Sequence, residues 1–159
     1  MSNISVGISD WKVSKAPDVL VTYALGSCVG ICLLDKVKNI GGLSHIMLPD
    51  SGNILKGGEN RMKFADTAIP DMYHKLLTMG AIAKNITAKI TGGALMFATS
   101  SERFNIGERN VDAVKKTLQL LHIPILAYDT GKNYGRTIFF HLDNGSVEVK
   151  STAFGVVVI

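Results

Sequence analysis

The sequence contains 159 residues, of which 47% are hydrophobic and 19% are charged, and its formal net charge is +4. This composition is typical of a folded globular protein and excludes an intrinsically disordered chain. The basic residues are scattered, whereas a nucleic-acid-binding surface needs clustered lysine and arginine, so we expect no nucleic-acid binding. The length predicts a single domain with a sizeable core.

The sequence also gives expectations about compartment and metal binding. The first residues lack the pattern of a signal peptide, and no apolar run approaches the ~18 residues that span a bilayer. We therefore expect a cytoplasmic protein without membrane insertion, in which Cys28 and Cys32 are free thiols. Their spacing is not that of a C-x-x-C motif, and no second cysteine pair accompanies them, so we expect no metal site.

Apolar runs predict the strands of the first half of the chain. β-Branched and aromatic residues favour a strand over 19–25, and runs that are apolar on both faces favour buried strands over 28–34 and 40–48. A short strand is expected near Ile4–Ile8. Turn chemistry closes this unit at 49–53, and the glycine-containing segment 52–62 is predicted to be a loop.

The second half is predicted to contain two helices and further strands. Helical spacing of apolar residues predicts a helix over 63–79, in which Pro70 requires a later start near Ile69 or a kink. A second helix is predicted over 108–121. Strands are predicted over 86–91, 123–128, 137–143 and 146–151 and in the apolar tail, with Asn144-Gly145 indicating a type I′ hairpin turn. Because strands outnumber helices and hairpins outnumber β-α-β units, we predict an α+β fold with a largely antiparallel or mixed sheet.

Residues suited to nucleophilic catalysis lie between positions 19 and 49. Cys28 follows a Gly26-Ser27 corner, and an imidazole such as that of His45 can accept a thiol proton. Backbone N–H groups at the corner are candidates for an oxyanion hole, and Thr22 for orienting the imidazole. Each residue also has an ordinary interpretation: a buried small hydrophobe for Cys28, a core histidine for His45 and a strand residue for Thr22.

The relative position of Cys28 and His45 depends on the turn between the two strands. A two-residue turn at Lys36-Val37 would place them directly opposite each other, with Cβ atoms roughly 4.5–5.5 Å apart. Lys-Val is unfavourable in a type I′ turn, so we favour a longer loop, and a slip of one residue would place the side chains on opposite faces. Direct cross-strand register is therefore a hypothesis.

The glycine pair at 92–93 has two interpretations. Gly92-Gly93-Ala94 follows a predicted strand and either forms an ordinary turn, which we favour, or lines a substrate cleft. His74, His122 and His141 are expected to be surface or structural residues.

Several motifs occur in one order along residues 5–150. They are TYALGSCV (22–29), GGLSHIMLP (41–49), KFADTA (63–68), ITGGALMF (90–97), NIGERNV (105–111) and DTG (129–131), followed by Arg136. In this combination the chain resembles the CheD family of bacterial chemoreceptor glutamine deamidases. The resemblance implies that Cys28 is the nucleophile, that His45 is the general base and acid, and that Thr22 assists the histidine.

The resemblance also implies a fold, a reaction and partners. The implied fold is a mixed, largely antiparallel β-sandwich with helices packed outside, as a single domain over residues 1–159. The implied activity is that of a protein-glutamine glutaminase, which converts selected glutamines of methyl-accepting chemotaxis receptors to glutamate through a thioester and needs no cofactor or metal. Glutamate methylesterase is an expected side activity. The chemotaxis phosphatase CheC is an expected regulatory partner.

Two departures from the family pattern bear on this interpretation. Tyr23 and Ala24 stand where residues such as Leu-Gly are usual, which affects the shape of the cleft. Lys132 stands where a second glycine is common after Asp-Thr-Gly, which puts the conformation of that loop in question. The alternative function is a regulatory binding partner of receptors and CheC with little or no turnover. A cysteine protease is a weaker third interpretation.

Overall fold

A computed structural model describes residues 1–52, 60–96 and 105–159. The strands of the described residues are β1 (Asn3–Ser5), β2 (Asp10–Lys15), β3 (Val19–Leu25), β4 (Val29–Asp35), β5 (Ile40–Ile46), β6 (Ile86–Gly92), β7 (Ile125–Thr130), β8 (Arg136–His141), β9 (Val147–Ser151) and β10 (Gly155–Val158). The α-helices are α1 (Ala65–Thr78) and α2 (Ile106–Leu120), and short 3-10 helices cover Arg61–Lys63 and Ala83–Asn85. Most of the predicted loop over 52–62 lies outside the described residues.

The strands form two sheets. Their orders are β1-β3-β8-β9-β10 and β2-β5-β4-β6-β7. The β1–β3 and β6–β7 pairs are parallel, and the other pairs are antiparallel. The two sheets share an apolar layer, while both helices contact the second sheet. The predicted α+β fold, a mixed and largely antiparallel β-sandwich with helices outside, is confirmed.

The central strands β4 and β5 of the second sheet are buried on both faces because nearly all of their residues are apolar or small. Along β4, Val29, Ile31 and Leu33 pack towards α1 and α2, whereas Cys32 and Leu34 pack between the sheets. This division follows from the two-residue period of a strand, which sends successive side chains to opposite faces. A catalytic side chain on this sheet can therefore lie between the sheets while its neighbours anchor the helices.

The structure corrects two predictions about individual elements. Strand β2, which pairs with β5 along its whole length, was not predicted, although Trp11 and Val13 do alternate with polar residues there. Helix α1 begins at Ala65, so a start near Ile69 is wrong. Pro70 lies inside the helix, where its ring removes one backbone N–H donor.

The predicted β8–β9 hairpin is present, but its turn is longer than a type I′ turn. Phe140 pairs with Val147, and the Gly145 amide donates a hydrogen bond to the His141 carbonyl. Gly145 has a positive φ of 79°, whereas Asn144 is not among the residues with positive φ. Leu142, fully buried between the sheets, explains the longer turn, because the chain must carry this side chain into the core before it reverses.

A membrane-spanning helix is not found in the described parts of the chain, since neither α1 nor α2 is long and apolar enough.

The loop after β7 retains the conformation that two glycines would favour. Gly131 and Lys132 have φ angles of +77° and +63°, both in the left-handed region. The Lys132 carbonyl accepts a hydrogen bond from the Leu95 amide, and the Gly131 carbonyl accepts one from the Arg136 guanidinium. These bonds hold Lys132 in a conformation that costs a residue with a Cβ atom about 1–2 kcal/mol.

Replacement of this lysine tests the strain. Lys132→Gly should raise the free energy of unfolding by up to about 1 kcal/mol in urea denaturation, because the strain removed exceeds the extra entropy of glycine in the unfolded chain. Lys132→Ala is the control, because it removes the charged stem but keeps the Cβ atom. Equal stabilisation by both variants would show that the side chain, and not the backbone, is responsible.

Candidate active site

Thr22, Cys28 and His45 come from the two sheets and from the corner that joins them. Thr22 lies on β3 of the first sheet, His45 lies on β5 of the second, and Cys28 lies in the corner between β3 and β4. Thr22 and His45 are completely buried, whereas Cys28 is partly exposed and packs against the apolar layer between the sheets. A molecule in solvent therefore reaches this group of residues at the cysteine.

The hypothesis of a direct Cys28–His45 strand pair is wrong. Gly30, not Cys28, is opposite His45, and the β4–β5 ladder ends at Val29–Ile46. The loop after β4 is longer than two residues because the Asp35 carboxylate accepts bonds from the Val37 and Lys38 amides and Asn39 takes a φ of +54°. The register differs by two residues, an even number that does not exchange the faces of the strand, and Cys28 stands one residue beyond the last β4–β5 pair, packed against the apolar layer between the sheets.

The hydrogen bonds at Thr22 determine which nitrogen of His45 carries a proton. The Thr22 hydroxyl lies 2.7 Å from His45 Nδ1 and donates to the Val6 carbonyl oxygen, also at 2.7 Å. A hydroxyl has one proton, and a carbonyl oxygen can only accept, so Nδ1 must be the donor towards Thr22. Neutral His45 therefore carries its proton on Nδ1, and Nε2 has a free lone pair.

The free nitrogen of His45 is buried. Nε2 has no hydrogen-bond partner among the described residues. Burial lowers the pKa of His45 to about 4, because an imidazolium would lose its hydration there. The ring is therefore neutral at physiological pH, and Nε2 can accept a proton from a neighbouring acid.

Burial has the opposite effect on the thiol. The pKa of Cys28 is raised above its ordinary value mainly by desolvation, and the backbone N–H of the same residue opposes this shift by favouring the thiolate. At neutral pH the resting pair consists of a protonated thiol and a neutral imidazole. Formation of the thiolate therefore depends on proton transfer to a nearby base.

The glycine pair at the end of β6 packs against the backbone of the cysteine corner. The Gly93 amide donates to the Cys28 carbonyl at 2.8 Å, and the Ala94 amide donates to the Gly26 carbonyl at 2.9 Å. A Cβ atom on Gly92 would lie 2.3 Å from the Cys28 carbonyl oxygen, and the φ of Gly92 is +106°. Glycine is required at position 92 because the backbones of the two segments approach this closely.

A β-bulge near the end of β3 precedes the corner that carries Cys28. Thr22 pairs with Ile138 and Leu25 with Arg136, so β3 has one residue more than β8 over this stretch. Ala24 takes a φ of +57° within the bulge, and Tyr23 is exposed. The departure from the family pattern thus falls where the backbone favours glycine, and it leaves Thr22 facing the other sheet.

Asn110 is a buried polar residue at the site that sequence reasoning missed. It lies on α2, is completely buried, and donates from Nδ2 to the carbonyl oxygens of Ser27 at 2.9 Å and Met47 at 3.0 Å. The sequence does contain one indication: Asn110 directly precedes Val111, which belongs to the apolar stripe of the predicted helix. An amide that becomes buried beside such a stripe needs hydrogen-bond partners.

The remaining candidates lie apart from this group. Cys32 is buried in the core, and burial raises the pKa of its thiol, so it is not a competing nucleophile. His74 and His122 are exposed, and His141 pairs with Glu148 at 3.2 Å. Within residues 1–52, 60–96 and 105–159, no three His, Cys, Asp or Glu side chains are grouped as metal ligands.

Comparison with known proteins gives the family. A family model described as CheD chemotactic sensory transduction matches residues 47–151. A protein of Lachnoclostridium phytofermentans named "Probable chemoreceptor glutamine deamidase CheD" is 51% identical over 150 residues, covering 93% of this chain and 92% of the relative. The chain belongs to the CheD family. A protein of the same name from Moorella thermoacetica is 50% identical and covers 93% of this CheD chain and 90% of its own length.

The likeness extends over the candidate site. The family-model match begins at Met47, after Thr22, Cys28 and His45. A relative from Clostridium botulinum, which carries the same name, aligns over 157 residues at 49% identity, covering 98% of this CheD chain and 96% of its own. Only about 2% of this chain lies outside that alignment, which is too little to leave out the segment 22–45. The similarity therefore extends into the site.

The buried imidazole makes the stability of this CheD protein depend on pH. The pKa of His45 is about 4 in the folded protein and 6.5 in an unperturbed histidine, so between these values the unfolded chain binds the additional proton. The free energy of unfolding should therefore fall as the pH decreases from about 6.5 to about 4, by on the order of 3 kcal/mol.

Urea denaturation at a series of pH values across this range measures the effect. The variant His45→Gln, which has no titratable group at this position, should lose less stability over the same range. Identical slopes for the two proteins would contradict a buried neutral histidine.

Proposed function

We propose that this CheD protein is a chemoreceptor glutamine deamidase in which Cys28 is the nucleophile and His45 is the general base and acid. Thr22 is proposed to hold the imidazole in the Nδ1–H form. The relatives' names support the reaction. One observation carries the site assignment. The Thr22 hydroxyl gives its only proton to the Val6 carbonyl, so Nδ1 of His45 must donate to Thr22, and Nε2 is left free to accept a proton.

In the proposed first half-reaction, His45 Nε2 takes the proton of the Cys28 thiol as the sulfur attacks the side-chain amide carbon of a glutamine. The backbone N–H of Cys28, which favours the thiolate, is a candidate donor to the resulting oxyanion. The imidazolium then gives its proton to the departing nitrogen. The carbon–nitrogen bond breaks, ammonia leaves, and a thioester remains on Cys28.

In the proposed second half-reaction, His45 accepts a proton from water, and the resulting hydroxide attacks the thioester carbon. The carbon–sulfur bond breaks, and the Cys28 sulfur recovers its proton from the imidazolium. The product is glutamate. A glutamate methyl ester presents the same carbonyl with methanol as the leaving group, so methylesterase activity is proposed as a side reaction of the same residues.

The proposed substrate is the helical cytoplasmic region of a methyl-accepting chemotaxis receptor, and the proposed location is the cytoplasm. Partial exposure of Cys28 beside buried His45 and Thr22 suits a glutamine side chain that projects from a helix, because only the sulfur must be reached from solvent. CheC is proposed as a regulatory partner that competes with the receptor for this region. The alternative is a binding protein with little turnover.

Mass spectrometry of a receptor cytoplasmic fragment tests the proposed function. The wild-type protein should convert selected glutamines to glutamate, a mass increase of about one dalton per site, and Cys28→Ala should convert none. Cys32→Ala is the matched control, because Cys32 is the other free thiol and lies in the core. Tight receptor or CheC binding with no conversion by wild type would favour the alternative function.

The proposed role of Thr22 has its own test. Thr22→Val keeps the side-chain shape but removes the oxygen that accepts from Nδ1–H, so the tautomer with a free Nε2 loses its support. We expect kcat to fall roughly 10- to 100-fold with little change in KM. Thr22→Ser, which keeps the hydroxyl, should retain most of the activity. A KM effect alone would instead place Thr22 in substrate binding.

A further inference from the structure

The Asn110 side chain joins two backbone positions that lie just beyond the end of the β4–β5 ladder. Its Nδ2 group donates to the carbonyl of Ser27, the residue before Cys28, and to the carbonyl of Met47, two residues after His45. The β4–β5 ladder ends at the Val29–Ile46 pair, just before these two carbonyls. One buried amide thus continues the connection between the two strand ends where their own hydrogen bonds stop.

The orientation of the amide follows from its partners. Both groups that face Nδ2 are carbonyl oxygens, which can only accept, so a flipped amide would place Oδ1 against two other oxygens. Two donors on one nitrogen match two acceptors, which fixes the side chain in a single orientation. The two carbonyls are therefore held at a defined separation.

Helix α2 gives this amide a rigid support. Gly107, one turn before Asn110, lies so close to the backbone of 93–94 that an added Cβ atom would be 2.4 Å from the Ala94 carbonyl oxygen. The amides of Gly93 and Ala94 in turn bond the carbonyls of Cys28 and Gly26. The corner that carries Cys28 is thus held from one side by 93–94 and from the other by Asn110.

We infer that Asn110 is a positioning residue that fixes the distance between the Cys28 corner and the end of the strand that carries His45. It does not touch the reacting atoms in this arrangement. It acts through the backbone, and loss of its donors lets the thiol and the imidazole separate. The inference rests on the proposed function, in which these two groups exchange a proton.

Kinetics with a receptor fragment give the first measurement. Asn110→Leu, which has a similar size but no donor, should lower kcat about 100-fold and leave KM nearly unchanged, because small displacements of catalytic groups have effects of this size. Thr117→Val is the matched control: Thr117 is also buried on α2, but its hydroxyl donates to the Ala113 carbonyl within the helix. A wild-type kcat for folded Asn110→Leu, or an equal loss in Thr117→Val, would overturn the inference.

A second measurement needs no receptor. The rate of Cys28 alkylation by iodoacetamide at neutral pH, followed by peptide mass spectrometry, reports how readily the thiol passes its proton to His45 when the sulfur attacks an electrophile. Asn110→Leu should lower this rate in the wild-type background and have no such effect in the His45→Gln background, since the two changes act on one proton transfer. Equal effects in both backgrounds would show that Asn110 acts only on the fold.

The aspartate variant covers the case in which Asn110→Leu does not fold. Asn110→Asp has the same shape, but its carboxylate cannot donate, whereas its protonated form can donate one hydrogen bond. Its kcat relative to wild type should therefore rise as the pH is lowered, with the folded fraction checked by circular dichroism. A constant ratio would overturn the inference. Absence of deamidation by wild type would contradict the proposed function instead, and the alkylation test would still decide the role of Asn110.

Discussion

The 2.7 Å hydrogen bond between Thr22 and His45 is the contact on which the site depends. It crosses from one sheet to the other, so it exists only because the sandwich brings β3 and β5 face to face. Its direction is set by a third group, the Val6 carbonyl, which consumes the only proton of the Thr22 hydroxyl. A main-chain oxygen near the start of the chain therefore decides which nitrogen of a histidine on β5 is free.

Burial gives this pair a particular resting state. Desolvation lowers the pKa of His45 and raises that of Cys28, so each shift favours the neutral form. A resting thiolate–imidazolium pair would need interactions that offset the desolvation free energy of two buried charges, whereas a neutral pair has no such cost. In the proposed mechanism the charges form only when the sulfur bonds to substrate. A protonated thiol is also less prone to oxidation than a thiolate.

The sequence predicted what depends on local periodicity and failed where distant segments meet. Strand β3 was identified from its β-branched and aromatic residues, and β4 and β5 were identified because their apolar runs are buried on both faces. The register of Cys28 and His45 was wrong because the Asp35 side chain caps a longer loop, a contact that no two-residue turn rule includes. The motif containing Asn110 was noted, but its role depends on carbonyls from two other elements, which carry no side-chain signal.

The same limit applies to the whole end of the sandwich that carries Cys28, because backbone groups hold it together. The Gly131 amide donates to the Gly92 carbonyl, the Leu95 amide donates to the Lys132 carbonyl, and the Gly93 amide donates to Cys28. Positive φ angles occur on each of these segments, at Ala24, Gly92 and Lys132 among others. These contacts are made by backbone groups and leave no room for side chains, so the pattern of hydrophobic residues cannot predict them.

Buried Arg136 completes this backbone arrangement from the side of β8. Its guanidinium donates to the Gly131 carbonyl and pairs with Asp129, while its side chain is almost fully buried. A buried cation must keep its partners, because an uncompensated charge in the interior is strongly destabilising. The ion pair therefore supports the 129–132 loop, and this loop bonds to Gly92 and Leu95. The amides of Gly93 and Ala94, which lie between them, bond to the corner that carries Cys28. A buried charge that is not itself part of the proposed chemistry is thus connected to the site through backbone hydrogen bonds.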